Sequence, residues 1–155
     1  MKHNFVKEKV VLVTGAGGGI GREFAIALAR EGAKVVVNDL GASLDGVGHD
    51  NERAQLVVNE IKAAGGEAVA NGDSVADWDA AARMVKLAVD TYGRIDCVIN
   101  NAGILRDRFF FNMSKEDWHQ VMDVHLNGAF YVSRAAATHF KAQQSGAYVH
   151  MVSTS

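Results

Sequence analysis

A turn made almost entirely of glycine separates a strand pattern from a helix pattern near the start of the chain. Residues 10–13 form a short run of Val and Leu, which is typical of a parallel strand buried on both faces. Five of the seven residues at 15–21 are glycine, and from Ile20 onward the apolar residues recur at helical spacing. Glycine allows a sharp turn and lets a ligand approach the backbone N–H groups, and the following helix points its positive end at the turn. The stretch therefore predicts a phosphate-binding turn, with a flexible loop as the alternative.

An acidic residue follows the second predicted strand. That strand covers residues 34–38, and Asp39 lies 18 residues after Gly21. An acidic side chain at about this distance accepts hydrogen bonds from the adenosine ribose of a bound dinucleotide. The Asp39 carboxylate would also repel a 2′-phosphate, and no Arg stands beside it in the sequence. These features predict NAD rather than NADP as the cofactor.

Strand and helix patterns alternate along the rest of the chain. Helical patterns over residues 52–64, 78–92 and 114–143 separate apolar strands over 67–70, 95–99 and 147–152. Strands joined through helices pair in parallel with right-handed crossovers. The sequence therefore predicts an α/β fold, a Rossmann-type doubly wound parallel sheet with strand order 3-2-1-4-5.

Two motifs resemble those of the short-chain dehydrogenase/reductase family. The glycines fit G-x-x-x-G-x-G through Gly15, Gly19 and Gly21, rather than G-x-G-x-x-G, and residues 100–103 read Asn-Asn-Ala-Gly at the end of the fourth strand. Both motifs lie in register with the alternating strands and helices. The resemblance implies an NAD-dependent oxidoreductase that interconverts a hydroxyl and a carbonyl on a small-molecule substrate. It also implies a homodimer or homotetramer.

The resemblance further implies which residues contact the cofactor. Residues 73–75 follow the third strand, where the family places an Asp against the adenine; a helix cap is the alternative for Asp73, although Asp77 is better placed to cap. Residues 101–103 place small side chains near the nicotinamide ribose, with a plain Asn-Gly turn as the alternative. The expected cofactor-binding residues are Gly15, Gly19, Ile20, Gly21, Asp39, Asp73, Ser74, Val75, Asn101, Ala102 and Gly103.

The family's catalytic residues are only partly represented in the chain. A Ser binds the substrate oxygen in this family, and counting from Gly146 places it at Ser153, with Ser155 or a plain strand-ending serine as alternatives. The family's acid/base Tyr belongs to a Tyr-x-x-x-Lys pair, but none of the three tyrosines here has Lys four residues later. We therefore expect residues 1–155 to be the amino-terminal, NAD-binding portion of a typical member, with the sheet incomplete on its C-terminal side, and to be inactive alone.

One position departs from the family pattern. The catalytic Asn normally begins Asn-x-x-Gly, but residues 125–128 read His-Leu-Asn-Gly, which places His125 there. His125 either holds a proton-relay water through its backbone or packs, and both alternatives stay open.

Within the family, several segments indicate a narrower resemblance. Residues 37–41, 71–75 and 101–108, together with His125, are most similar to the (3R)-hydroxyacyl-CoA dehydrogenase unit of peroxisomal multifunctional enzyme type 2 and its bacterial relatives. The expected substrate is therefore a 3-hydroxyacyl-CoA or a similar alcohol or ketone. A 3-ketoacyl-carrier-protein reductase and a non-catalytic dinucleotide-binding fragment are the alternatives.

Charge and composition argue against other classes of protein. A net charge of −2 and a pI near 6.3 give no basic surface for nucleic acid or an anionic membrane. The start of the chain lacks the apolar core of a signal peptide, so we expect the cytoplasm or an organelle matrix. The histidines and Cys97 lack metal-ligand spacing, so no metal is predicted and Cys97 is expected to be a structural thiol.

Further expectations concern loops and packing. Residues 40–50 form either a ligand-binding loop or a solvated connector, and the phenylalanines at 109–111 are interpreted as core or subunit contact. Ser114 and Asp117 are expected to cap the last helical region, which bends near Gly128. The apolar faces of two helices are predicted to be Leu56, Val57 and Ile61 in the first, and Leu126, Phe130, Ser133, Ala137 and Phe140 in the second.

Overall fold

Five parallel strands form one sheet in the order β3-β2-β1-β4-β5, as predicted. The structure is a computed structural model, and it describes residues 5–41 and 52–153. The elements are β1 (Val10–Thr14), α1 (Gly19–Arg30), β2 (Lys34–Asn38), α2 (Glu52–Ala63), β3 (Glu67–Asn71), α3 (Trp78–Tyr92), β4 (Cys97–Asn100), α4 (Lys115–Met122), α5 (Gly128–Gln143) and β5 (Ala147–His150). A 3-10 turn covers Phe110–Asn112 and a π-helical turn covers Asp123–Asn127.

Helices cover both faces of the sheet. Val11 and Val13 of β1 pack on the side of α1 and α2. Val10 and Leu12 of the same strand pack on the side of α3 and α5. Because β1 pairs with β2 on one edge and β4 on the other, its side chains and backbone are both enclosed. This explains why its sequence is continuously apolar rather than alternating.

The helix ends follow the expected capping chemistry. The Asp77 carboxylate accepts a hydrogen bond from the Ala80 N–H at 2.6 Å and caps α3, which ends at Gly93 with a φ of 79°. Ser114 and Asp117 form a reciprocal capping box at the start of α4.

The predicted apolar faces of two helices were partly wrong. Leu56 of α2 is exposed, because the buried face of this helix passes through Val58 and not through Leu56. The predicted stripe of the last helical region is buried only at Phe140, and Leu126 and Phe130 are exposed. The buried stripe of α5 lies beside the predicted one and shares only Phe140 with it. The buried residues of α5 are Gly128, Val132, Ala136 and Phe140.

A buried carboxylate ties the start of β1 to the start of β4. Asp96 is 6% exposed, accepts a hydrogen bond from the Val10 N–H at 2.9 Å, and receives two from the Arg94 guanidinium at 2.6 and 2.9 Å. Burial alone would raise the pKa of this carboxyl, but the bonds from Arg94 and Val10 and the charges of Arg94 and Lys9 outweigh burial and lower it. The ionised form is therefore the one that the fold stabilises.

This network predicts a pH-dependent contribution to stability. A carboxyl whose folded pKa lies below its unfolded value of about 3.9 stabilises the fold above that pH, and the contribution disappears as the pH falls through the folded pKa. We expect Asp96→Asn to lower the free energy of unfolding by about 2–4 kcal/mol at neutral pH. In urea denaturation, the difference from the unmodified protein should shrink below about pH 4.

The matched control is Asp90→Asn, which removes the exposed partner of Lys86 on α3. An exposed ion pair of this kind contributes about 0.5 kcal/mol or less. An Asp96→Asn difference that stays constant from neutral to strongly acidic pH would contradict the assignment.

Residues 5–41 and 52–153 include no helix with the length and apolar character of a membrane span. The edge strand β5 is exposed along its whole length.

Candidate cofactor site

A cavity of about 560 Å³ opens at the carboxyl edge of the sheet. It lies at the ends of the neighbouring strands β1 and β4, where the order of the strands in the sheet reverses direction along the chain. Ligands bind at this point in doubly wound sheets. Ten of the eleven predicted cofactor-binding residues line it, and Gly21 lies beneath the glycine turn. The predicted residues in the wall are Gly15, Gly19, Ile20, Asp39, Asp73, Ser74, Val75, Asn101, Ala102 and Gly103.

The glycine turn forms one wall of the cavity and begins α1. Gly15 and Gly19 have φ values of +64° and +52°, which side chains disfavour. Among the described residues, no side chain caps the start of α1, and its first turn holds no acidic residue. Its first N–H groups therefore face the turn with the positive end of the helix dipole and without a side-chain acceptor. An anion such as a pyrophosphate fits this end of the helix.

Close packing at Gly21 holds the turn against the end of β4. A Cβ atom placed on Gly21 would lie 2.3 Å from the Gly15 carbonyl oxygen and 2.4 Å from Asn101 Nδ2. The same Asn101 amide donates to the carbonyls of Thr14 at 3.0 Å and Gly15 at 3.1 Å. Gly21 is thus required by the packing under the turn rather than by contact with a ligand.

Thr14 connects the same two segments from the side of β1. Its hydroxyl oxygen accepts from the backbone N–H groups of Asn101 and Ala102, both at 3.1 Å, and donates to the Ile99 carbonyl at 3.4 Å. The side chain is buried. Sequence reasoning missed Thr14 because a Thr that ends a strand is unremarkable until its partner across the sheet is known.

Asp39 lies at the end of β2 and faces the glycine turn. Its Oδ2 accepts from the Gly17 N–H and its Oδ1 from the Gly41 N–H, both at 2.8 Å. The carboxylate therefore lies beside the phosphate-binding turn, where the adenosine ribose of a dinucleotide would come within its reach. Of the predicted loop at 40–50, residues 42–50 lie outside the described residues.

A network of amides positions Asp73 on the next strand. Asn38 Nδ2 donates to Asn71 Oδ1 at 2.7 Å and to the Asp73 carbonyl at 2.9 Å. Asn71 Nδ2 donates to Asp73 Oδ2 at 3.0 Å, and the Arg83 guanidinium donates to Asp73 Oδ1 at 2.8 Å. Asp77, not Asp73, caps α3, so the cap alternative for Asp73 was wrong. Asn38, Asn71 and Arg83 carried no sequence signal, since their role depends on which strands are neighbours.

His125 packs on the end of the Asn-Asn-Ala-Gly motif. Its Nε2 lies 3.1 Å from the Ile104 nitrogen and 3.0 Å from the Ile104 oxygen, and a Cβ on Gly103 would lie 2.7 Å from its Cε1. The residue occupies the π-helical turn, a distortion often found at functional sites. The His125 side chain therefore packs, which is one of the two predicted alternatives. The other, a proton-relay water held by the His125 backbone, stays a prediction.

Ser153 lies outside the cavity wall that the described residues form. It follows β5 by three residues, at the same carboxyl edge of the sheet, and is exposed. Ser155 lies outside the described residues. The phenylalanines at 109–111 are all exposed, so the core interpretation was wrong and subunit contact stays a prediction.

The described residues contain no group of three or more His, Cys, Asp or Glu side chains that could hold a metal ion. Burial, together with the charge of Asp96, raises the pKa of the Cys97 thiol. A raised pKa keeps the thiol protonated at neutral pH and lowers its reactivity.

The fold is that of a Rossmann-type α/β protein with a cavity at the carboxyl edge of its sheet. The family model for short chain dehydrogenase matches residues 9–155, and the chain belongs to this family. Members of the family generally bind NAD or NADP.

Several known proteins are similar to the chain. Peroxisomal multifunctional enzyme type 2 of Mus musculus is 56% identical over 138 residues, which are 89% of this chain and 18% of that protein. A 3-oxoacyl-[acyl-carrier-protein] reductase of Synechocystis is 41% identical over 145 residues, 94% of this chain and 56% of the reductase. The crystal structure of a short chain dehydrogenase from Mycobacterium avium superposes with a TM-score of 0.81 at 54% identity, covering 90% of this chain and 48% of that one.

The chain spans about half the length of a Mycobacterium tuberculosis relative that is 53% identical over 150 residues, covering 97% of this chain and 52% of the relative.

Proposed function

We propose that the chain binds NAD and supplies the cofactor site of an oxidoreductase that interconverts a hydroxyl and a carbonyl. The observation that carries this proposal is the joint placement of two features on one cavity. The uncapped start of α1 suits a pyrophosphate, and the Asp39 carboxylate beside it suits ribose hydroxyls. Family membership supports the same reading.

Each wall of the cavity has a distinct role in this proposal. The N–H groups of the glycine turn bind the pyrophosphate, Asp39 accepts from the adenosine ribose, and residues 73–75 contact the adenine. Residues 101–103 lie beside the nicotinamide ribose. NAD, when bound, supplies or accepts the hydride. In this proposal Ser153, which follows β5 at the carboxyl edge of the sheet, binds the substrate oxygen.

The choice of NAD rests on charge. The Asp39 carboxylate accepts hydrogen bonds from two ribose hydroxyls, whereas a 2′-phosphate would place two like charges in contact. The Asp39 carboxylate faces the glycine turn, where it accepts from the Gly17 N–H. NAD is therefore the cofactor that this end of the cavity favours.

The proposed substrate is a 3-hydroxyacyl-CoA or a similar alcohol or ketone. Relatives at 48–56% identity carry the names peroxisomal multifunctional enzyme type 2 and peroxisomal hydratase-dehydrogenase-epimerase, which favours this substrate class. The 3-oxoacyl-[acyl-carrier-protein] reductases, at 40–41% identity, support the second candidate, an NADP-dependent ketoacyl reductase. A homodimer or homotetramer in the cytoplasm or an organelle matrix completes the proposal.

Calorimetric titration with NAD, NADP and coenzyme A tests the cofactor assignment. We expect saturable NAD binding and weaker binding of NADP. Preference for NADP would support the ketoacyl reductase instead. Failure to bind either dinucleotide would overturn the proposal.

Activity is tested separately from binding. In this proposal a Tyr-Lys pair performs the proton transfer, and Tyr-x-x-x-Lys does not occur in residues 1–155. The 155-residue polypeptide should therefore bind NAD without oxidising 3-hydroxyacyl-CoA. NADH formation by this polypeptide would contradict that division of roles.

A further inference from the structure

An arginine from α2 lies over the glycine turn. A Cβ atom on Gly18 would lie 3.2 Å from Arg53 Nη2, and one on Gly17 would lie 2.9 Å from the Arg53 Cβ. Arg53 also lines the cavity. Arg53 follows Asp39 by 14 residues, so no Arg is a neighbour of Asp39 in the sequence. In the folded protein, however, Arg53 and Asp39 both lie beside Gly17.

Asp39 approaches the turn at the same point. The Cβ position of Gly17 lies 2.7 Å from the Asp39 Cγ and 2.8 Å from its Oδ2. A carboxylate from the end of β2 and an arginine from the first turn of α2 thus converge on one glycine. This is the end of the cavity that the proposed function assigns to the adenosine ribose.

The two side chains have opposite preferences for the 2′ position of that ribose. A carboxylate accepts from a free 2′-hydroxyl and repels a 2′-phosphate. A guanidinium binds a phosphate through paired, charge-assisted hydrogen bonds and gains less from a hydroxyl. One carboxylate and one guanidinium at this position therefore act against each other in the choice between NAD and NADP.

Resting on the proposed NAD site, we infer that Arg53 is a second specificity-determining residue. Its guanidinium binds the 2′-phosphate of NADP, and the Asp39 carboxylate is the group that opposes it. Neutralising Asp39 alone then converts the cavity to NADP binding, because the cation that a 2′-phosphate requires is already in the wall. Sequence numbering gives no indication of this, since Arg53 belongs to a different element from Asp39.

Four proteins titrated with NAD and NADP by calorimetry test this inference: the unmodified protein, Asp39→Asn, Arg53→Gln and the double variant. Asn has nearly the same shape and keeps one acceptor oxygen, so it removes the charge and loses one of the two hydrogen bonds from the Gly17 and Gly41 N–H groups. We expect Asp39→Asn to raise NADP affinity by about tenfold or more. Arg53→Gln in the Asp39→Asn protein should abolish that gain. Arg53→Gln alone should lower the affinity for NADP more than the affinity for NAD, because both cofactors carry the pyrophosphate and only NADP carries the 2′-phosphate.

The matched control is Arg30→Gln in the Asp39→Asn protein. This substitution removes the same positive charge at the opposite end of α1, about 16 Å along the helix from the glycine turn. It should leave the gain in NADP affinity intact. Loss of the gain with Arg30→Gln would show a general charge effect and overturn the inference.

The remaining outcomes separate this inference from the proposed function. If Asp39→Asn gains no NADP affinity, or gains it equally with and without Arg53, Arg53 does not set specificity and the inference is overturned while the NAD site stands. If the unmodified protein binds no NAD, the proposed function itself is overturned, and the inference with it. Circular dichroism of each variant confirms that its fold is intact before titration.

Discussion

Replacing Gly21 by Ala is expected to destabilise the protein and to lower NAD affinity by more than tenfold. The new Cβ would lie 2.3 Å from the Gly15 carbonyl oxygen, a backbone atom that moves only if the turn moves. Alanine is favoured over glycine in a helix by about 1 kcal/mol, so propensity alone predicts stabilisation. Overpacking against backbone costs about 1–3 kcal/mol or more and outweighs that gain. Urea denaturation and calorimetric titration with NAD measure the two effects.

Gly65→Ala separates loss of stability from loss of the site. Gly65 follows α2 with a φ of +83° and no other atom within 4 Å of a Cβ at that position. The substitution therefore costs only backbone strain, about 1–2 kcal/mol. We expect comparable destabilisation with unchanged NAD affinity. Equal NAD affinity in Gly21→Ala and the unmodified protein would contradict the role of the packed turn.

Thr14→Val is the second substitution with a large expected effect. Valine has nearly the same shape but offers no acceptor to the N–H groups of Asn101 and Ala102. Each buried amide left unpaired costs about 1–3 kcal/mol, so we expect the free energy of unfolding to fall by about 2–4 kcal/mol. NAD affinity should fall with it, because residues 101–103 lose their anchor to β1.

Thr14→Ser isolates the hydroxyl from the methyl group. Serine keeps the acceptor and loses one buried methyl, which costs about 1 kcal/mol. We expect NAD affinity to stay within about threefold of the unmodified protein. If Val and Ser have the same effect on NAD binding, the hydroxyl does not organise the site and this account of Thr14 is wrong.

The sheet could be predicted because its central strands are buried on both faces. Continuous Val and Leu in β1 and β2, with helical spacing between them, leave few other arrangements. Strand boundaries differ from prediction by no more than two residues at either end. Parallel strands all end at the same edge of the sheet. The sequence could therefore also predict that Asp39 and residues 101–103 lie on one cavity.

What could not be predicted depends on neighbours in space. The buried face of α5 was misassigned because two neighbouring stripes share Phe140: the predicted one passes through Phe130 and Ala137, and the buried one passes through Val132 and Ala136. The bonds of Asn38 to Asn71 and Asp73 require β2 and β3 to be adjacent at a known register. Arg53 reaches the glycine turn from the first turn of α2; the start of this helix was predicted, but the sequence does not show that its first turn lies over the glycines.

A crystal structure of the protein with NAD tests the central claim most directly. The account predicts the pyrophosphate against the N–H groups at the start of α1 and the Asp39 carboxylate within about 2.6–3.0 Å of an adenosine ribose hydroxyl. A nucleotide bound elsewhere, or an Asp39 carboxylate turned away from the ribose, would contradict it.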